Sequence, residues 1–438
     1  MLLYIIKKIR CFLCHKEKKE NKVTLFIFNI PVICKYKKSI KLISDCHHKV
    51  DDGRIFYSIF GFKIYCKVEN PKFKKIKNLK LKAGLEALGL IRIPVCQAPL
   101  TTINFDSTGI ITTCCYNRTL SLGCYPEVSI KDAWNAPQKQ KLIDAVNQYD
   151  FSYGCMGCHN QIAYQRSTVF LKKFDGYTYI GNDGKYPTNM EFEFSNLCNY
   201  ECIMCGGKWS SSIRKNRENL PPLEERFGDE FVEQLDEFIP YLKLAQFLGG
   251  EPFLVPLYYK IWEKIAKLNK NLPIIVVSNC SIYNDKVQSV IDSLPNFKII
   301  ASFDSLQKPT YEAIRINGVY EKAKENLECL ISQKRLEAIS VCPMIQNIYE
   351  IPEIADFCMK NDINLYFNAV SNALGYGADL PSGVPEFRLS TLGQEDLLKI
   401  KAMLENLETP SKYNDQIKHT IGGVKSQVSS FISEKQYE

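Results

Sequence analysis

Three cysteines, Cys198, Cys202 and Cys205, fall in one short stretch, Cys198-Asn-Tyr-Glu-Cys-Ile-Met-Cys205. The stretch follows a segment, Met190 to Phe194, that reads as a β-strand. Thiolates bind iron tightly, and compact cysteine spacings mark iron–sulfur clusters. Three ligands suit a four-iron cluster with one iron left open. The competing readings are three incidental thiols or a zinc site. Zinc needs a fourth ligand, and the residues that follow, Gly206, Gly207, Lys208 and Trp209, supply none.

A second group lies upstream: Cys96, Cys114, and the pair in Cys155-Met-Gly-Cys158. Four thiols from a loop, a strand end and a C-x2-C turn can enclose a metal centre completely. Zinc and a second iron–sulfur cluster are both open on spacing alone. Cys115 adjoins Cys114 and Cys124 is near, so either could replace one of the four. The remaining cysteines, among them Cys11, Cys14, Cys34, Cys46, Cys66, Cys280, Cys329, Cys342 and Cys358, read most simply as reduced core or surface thiols. Cys11-x2-Cys14-His15 resembles a haem-attachment pentapeptide in unsuitable surroundings. With five histidines in the chain, of which His47, His48 and His159 read as solvent-facing or structural, a His-based hydrolase or multi-His metal site is not expected.

The elements that must position these groups follow from periodicity. From Thr188 to about Asn372 strands alternate with helices. The strands are Met190 to Phe194, Leu244 to Leu248, Ile274 to Val277, Lys298 to Ser302, Ile339 to Pro343 and Asn364 to Phe367. Helices are expected at Phe231 to Phe238, Leu257 to Leu268, Lys286 to Leu294, Val319 to Gln333 and Ile351 to Lys360. Such alternation predicts right-handed βαβ units on a parallel sheet: an α/β protein with a partial (β/α)6, TIM-like barrel over 185–375. A small cysteine-rich α+β domain over 91–170 precedes it, with short strands at Asn104 to Gly109 and Ile110 to Thr113 and a helix around Ser129 to Asn147. Residues 1–82 form a basic, β-rich region, Lys72 to Lys82 a linker, and 376–438 a polar tail of mixed helix and loop. A chain of 438 residues suits two or three domains.

C-x3-C-x2-C at the end of a first barrel strand resembles the signature of radical S-adenosylmethionine (radical SAM) enzymes, and the likeness extends over roughly Thr188 to Asn372. It implies that Cys198, Cys202 and Cys205 carry a 4Fe-4S cluster whose open iron chelates the amino and carboxylate groups of S-adenosylmethionine. One electron then splits that cofactor into methionine and a 5′-deoxyadenosyl radical, which abstracts hydrogen from a substrate C–H bond. Supporting motifs arrive in order at strand ends, where barrel active sites gather. Gly249-Gly250-Glu251-Pro252 resembles the family's GGEP segment. Asn279, Ser302 and Asp304, and Gln346 resemble its polar residues around the cofactor. Arg315 also matches a recurrent family segment, although a surface salt bridge explains it equally well. Met204 is a departure, because many members carry an aromatic residue there.

Residues 95 to 164, with Gly109-x4-Cys114 and the turn Asp106-Ser-Thr-Gly109, resemble the auxiliary-cluster module called SPASM or, in shorter form, twitch. That resemblance implies an auxiliary 4Fe-4S cluster on Cys96, Cys114, Cys155 and Cys158. The module usually follows the barrel, whereas here it precedes it.

Composition sets the context. The apolar runs are too short to cross a bilayer, and Met1 to Cys14 has no signal-peptide layout, so a cytoplasmic protein is expected. Clustered cysteines in a reducing compartment are metal ligands or thiols more often than disulfides. Residues 1–82 hold 21 Lys or Arg against 6 Asp or Glu, a surplus of +15 on a body of −7. This basic arm suits peripheral association with the inner membrane surface. It also carries a weak repeat, Phe28 to Lys35 and Phe60 to Lys67, resembling leaders of some sugar-transferring enzymes of surface-polysaccharide pathways. Within the radical SAM reading the expected substrate is a sugar of such a pathway, with a peptide or protein as the alternative. The implied reductant is a flavodoxin or ferredoxin, and nucleic acid is not expected as a partner. The reading from another class is a non-catalytic, zinc-filled scaffold or nucleic-acid binder.

Overall fold

The computed structural model describes residues 22–27, 30–35, 49–51, 54–59 and 62–67 by their backbone. It also describes 96–148, 150–156, 158, 184–368, 380–381, 383–408 and 413–435. The chain divides into two compact units, Met1–Pro94 and Val95–Glu438.

In the first unit β1 (Lys22–Ile27) and β2 (Ile30–Lys35) form an antiparallel pair, and β3 (Lys49–Asp51), β4 (Arg54–Ile59) and β5 (Phe62–Lys67) an antiparallel sheet. Both copies of the repeat thus end in a strand, β2 and β5. Their leading Phe28 and Phe60 and the Lys72 to Lys82 linker lie outside the described residues.

The second unit is built on one nine-stranded sheet. Its sequence order begins with β6 (Thr102–Asp106), β7 (Ile110–Thr112) and β8 (Gly123–Cys124). There follow β9 (Asn189–Glu193), β10 (Leu244–Phe247), β11 (Ile274–Ser278), β12 (Phe297–Ser302), β13 (Leu336–Val341) and β14 (Asn364–Phe367). The spatial order is β14-β13-β12-β11-β10-β9-β6-β7-β8. Strands β9 to β14 are the six expected from the alternating pattern, and they pair in parallel in an open, barrel-like sheet. A further parallel strand extends it: β6 runs beside β9 in register from Thr102↔Asn189 to Asp106↔Glu193. The cysteine-rich segment, expected as a small domain ahead of the barrel, therefore supplies a strand to the barrel's own sheet.

Alternation explains that docking. Successive side chains on a strand face opposite sides, and β6 sends Ile103 and Phe105, both fully buried, to the helix-covered face. There Phe105 stacks on Phe192 at 5.9 Å between ring centres and meets the Phe231 ring edge-on at 5.0 Å. Phe194, Phe227, Phe247, Tyr258 and Trp262 continue this aromatic core beneath the helix Pro256–Leu268. The opposite face of β6, β9 and β10 carries Asn104, Asp106, Glu191, Glu193 and Gln246.

Two expectations need correction. The helix read around Ser129 to Asn147 is two helices, Ile130–Trp134 and Pro137–Asn147, because proline is favoured in a first turn and lacks the N–H needed inside a helix. The tail is more ordered than its polar composition suggested. Helices Gln394–Glu408 and Asp415–Lys435 pack together, and the second buries Ile417, Ile421, Val424, Val428 and Ile432. Its Gln416 amide donates to the Leu365 carbonyl at 2.6 Å and accepts from the Leu365 N–H at 3.1 Å, covering the β14 edge that would otherwise stay unpaired.

Candidate active site

The three-cysteine loop leaves β9 and is held from both sides. Ser210 caps the helix Ser211–Asn216, accepting from Ile213 N, and its hydroxyl donates to the Tyr200 carbonyl at 2.7 Å. Ser211 Oγ accepts from Cys198 N at 3.1 Å, while Ser212 donates to the Cys198 carbonyl at 2.8 Å. On the other side the N–H groups of Glu201 and Ile203 donate to the carbonyls of Ile316 and Ile314, each at 2.9 Å. Cys198, Cys202 and Cys205 pack with Tyr200, Ile203, Met204, Ile314, Met344 and Phe387 in one apolar cluster. Met204, at the departing position, is buried in it.

Gly249-Gly250-Glu251-Pro252 lies against this loop backbone to backbone. Gly250 N donates to the Ser195 carbonyl at 3.0 Å and Glu251 N to that of Leu197 at 2.8 Å. Gly249 has φ +111°, and a Cβ there would stand 2.5 Å from the Ser195 oxygen; one on Gly250 would stand 2.2 Å from the Leu197 oxygen. The glycines are required by this approach. Glu251 is fully buried and turned inward. Its carboxylate accepts from Ser278 Oγ at 2.9 Å, Phe253 N at 3.2 Å and Asn279 N at 2.7 Å, tying the β11 end to the segment. Burial pushes its pKa up to about 7 despite those donors. Pro252 opens the short 3-10 helix Pro252–Leu254. Asn279 Nδ2 donates to Asn199 Oδ1 at 3.0 Å and stands 4.0 Å from Cys198 Sγ.

After β12, Ser302 is half-buried and Asp304 fully buried. Asp304 Oδ2 takes two guanidinium hydrogen bonds from Arg315, from Nε at 2.8 Å and Nη2 at 2.7 Å, and Oδ1 accepts from Cys342 N at 2.7 Å. Arg315 Nη1 reaches Cys202 Sγ at 3.8 Å. The arginine is no surface ion pair: its side chain is 8% exposed and its partner 0%. Of the pair in the loop after β13, Asn347 is the structural member, donating to the carbonyls of Asp304 and Cys342 at 2.9 and 3.0 Å. Gln346 turns to the Glu386 carbonyl at 2.9 Å.

The second cysteine group converges from the segments expected. Burial is the main cause that raises the thiol pKa of Cys96, Cys114 and Cys158, and neighbouring thiols of the group add to it, Cys96 feeling the other three. Asn117 knits them, its N–H donating to Cys114 Sγ at 3.3 Å and its Nδ2 to Cys155 Sγ at 3.5 Å. Cys115 packs beside Cys114 and Cys96, and its N–H donates to the buried Glu191 at 3.0 Å. Cys124 stands apart, 3.7 Å from an Arg226 guanidinium nitrogen.

Burial raises the thiol pKa in both groups, up to about 12 for Cys198 and Cys114 and about 11 for Cys158. Such thiols keep their protons until a metal displaces them, so loading releases protons. Among the described residues no three or more His, Cys, Asp or Glu converge tightly enough for a single metal ion. A four-iron cube, with its ligands on separate corners, asks for a wider set.

A charged bridge joins the two cysteine loops. Lys208, just after Cys205, pairs with Asp106 at the end of β6 at 3.2 Å. Arg118, just after Cys114, pairs with Glu193 at the end of β9 at 2.7 Å and comes within 3.9 Å of Asp106. Sequence reading did not anticipate this bridge. It also left Cys342 among ordinary thiols, although its place directly after a barrel strand was a usable signal.

The donor set fits the group that the sequence implies. Three thiols share one apolar cluster, and the half-buried glycine segment lies against the loop that carries them. A family model matches part of the chain. The family model described as the radical SAM superfamily matches residues 192–358. These residues are a radical SAM domain. The expected radical SAM domain is borne out over those residues, and the superfamily works with a four-iron cluster and S-adenosylmethionine. No curated protein matches the chain. Among solved structures, that of SuiB from Streptococcus suis bound to precursor peptide SuiA is similar at 14% identity and TM-score 0.39, over 68% of this chain and 57% of that one. Native anSMEcpe with bound AdoMet is similar at 18% identity and TM-score 0.39, over 50% of this chain and 60% of that one. The chain thus spans less than two thirds of the length of either. No helix among the described residues is long and apolar enough to cross a membrane.

Proposed function

We propose that Cys198, Cys202 and Cys205 hold the SAM-binding 4Fe-4S cluster, and that Gly249 to Pro252, Asn279, Ser302, Asp304 and Gln346 form the cofactor's surroundings. When bound, cluster and S-adenosylmethionine together supply, on one-electron reduction by a flavodoxin- or ferredoxin-like donor, a 5′-deoxyadenosyl radical able to take hydrogen from a substrate C–H bond. The observation that carries this reading is the backbone contact between the glycine segment and the cysteine loop, where any Cβ would collide. It makes the ligand loop and the glycine edge one continuous floor. Arg315 holds Asp304 and Cys202 in fixed relation, and Glu251 fixes the glycine edge to the β11 end.

Cys96, Cys114, Cys155 and Cys158 are read as the ligands of an auxiliary iron–sulfur cluster. The bridge Lys208–Asp106 and Arg118–Glu193 would hold the two centres in register on either side of the β6–β9 seam. The substrate is read as a sugar. The repeat segments Phe28 to Lys35 and Phe60 to Lys67 resemble leaders of some sugar-transferring enzymes of surface-polysaccharide pathways, which favours that substrate class. The basic residues 1–82 suit work at an anionic membrane surface. Anaerobic turnover assays with nucleotide sugars and with precursor peptides, following 5′-deoxyadenosine, test the substrate. Product from sugars supports the assignment, and turnover of peptides alone sinks it.

A further inference from the structure

A fourth thiol belongs to the primary site. Cys342 directly follows β13, at the same end of the sheet as the three ligand cysteines, and packs in their apolar cluster. Its backbone is fixed at both polar atoms, the N–H donating to Asp304 Oδ1 at 2.7 Å and the carbonyl accepting from Asn347 Nδ2 at 3.0 Å. Asp304 is in turn locked to Arg315, which reaches Cys202 Sγ. The cysteine loop and the β13 end therefore share one buried frame, and the Cys342 side chain stands on it half-buried.

We propose that Cys342 is the resting-state ligand of the cluster's fourth iron, displaced when S-adenosylmethionine binds. The inference rests on the cluster assignment to Cys198, Cys202 and Cys205. Three thiolates leave one iron without a protein ligand, and a thiolate is a strong donor for it. In the resting state Cys342 gives its proton to solvent and its sulfur to the iron. When the cofactor's amino and carboxylate groups take that iron, the sulfur leaves and recovers a proton, with no change in oxidation state. The open corner is thereby guarded until the cofactor arrives. The rigid frame suits a ligand that must leave and return to one place, since neither Asp304 nor Asn347 needs to move.

The test uses the anaerobically reconstituted full chain. Brief iodoacetamide treatment with and without saturating S-adenosylmethionine is followed by mass spectrometry of the Cys342 peptide. The expected result is protection without the cofactor and labelling at least about tenfold faster with it, since ligated thiolates do not alkylate. In parallel, Cys342→Ser should shed the fourth iron on mild oxidation, giving a larger three-iron EPR signal than wild type. Cys342 labelling that S-adenosylmethionine leaves unchanged, whether fast or slow, overturns the proposal, as does an equal three-iron signal in the variant. Iron analysis of the same samples separates two failures. Full iron with cofactor-independent labelling sinks the Cys342 role alone, whereas absence of iron sinks the cluster assignment beneath it.

Discussion

The two cysteine groups differ in how the chain assembles them. Cys198, Cys202 and Cys205 come from one loop, so local spacing alone brings them together, and the fold has only to fix the loop. Cys96, Cys114, Cys155 and Cys158 come from three separated segments, ahead of β6, after β7 and beyond the helix Pro137–Asn147, and are brought together only by tertiary packing. The first group depends on a close backbone contact at Gly249 and Gly250, the second on a shared aromatic core through Phe105. A site made by one loop is robust to distant changes and fragile to a single methyl group beneath it. One made by tertiary docking should show the reverse.

The sharpest way to break this comparison is to remove ligands one at a time. Cys114→Ser should lose about four irons while S-adenosylmethionine cleavage persists, and Cys124→Ser should lose none. Equal iron in both variants would show that the second group is misassigned. Arg315→Ala comes next, because it strands the buried Asp304 carboxylate. Its expected cost is about 3 to 5 kcal/mol by chemical denaturation, together with loss of cofactor cleavage. Arg315→Lys should recover part of the stability but not the two-pronged hold on Asp304. Gly250→Ala should cost about 1 to 3 kcal/mol and weaken S-adenosylmethionine binding in a calorimetric titration, with the auxiliary iron unaffected. The smallest effect is expected for Lys208→Ala. Its partly exposed pair with Asp106 should contribute no more than about 1 kcal/mol, and the change should appear as altered coupling between the two centres in EPR relaxation, not as lost iron.

The same contrast explains what the sequence disclosed. The six barrel strands were legible because short strand-like runs alternate with helical patterns along the chain, and the cysteine loop, GGEP segment and Ser302-x-Asp304 fell at strand ends. The seventh parallel strand was not, since nothing in Thr102 to Asp106 says which strand it will join. Arg315 could be read as a surface residue because charge alone does not reveal a buried partner across the site. Cys342 was passed over for want of a spacing motif, although its position directly after β13 matches that of Asn279 directly after β11. The C-terminal helices looked polar because only one stripe of each is apolar, and the second of them packs on β14, where Gln416 covers the strand's edge.

Metal analysis of the anaerobically reconstituted chain, wild type beside the Cys198→Ala/Cys202→Ala/Cys205→Ala variant, tests the central claim most directly. About eight irons in the wild type and about four in the variant, with dithionite-driven S-adenosylmethionine cleavage in the first and none in the second, is the result predicted for two four-iron centres of which one is catalytic. Zinc in place of iron, unchanged by the triple substitution, would contradict it and leave the chain a metal-stabilised scaffold.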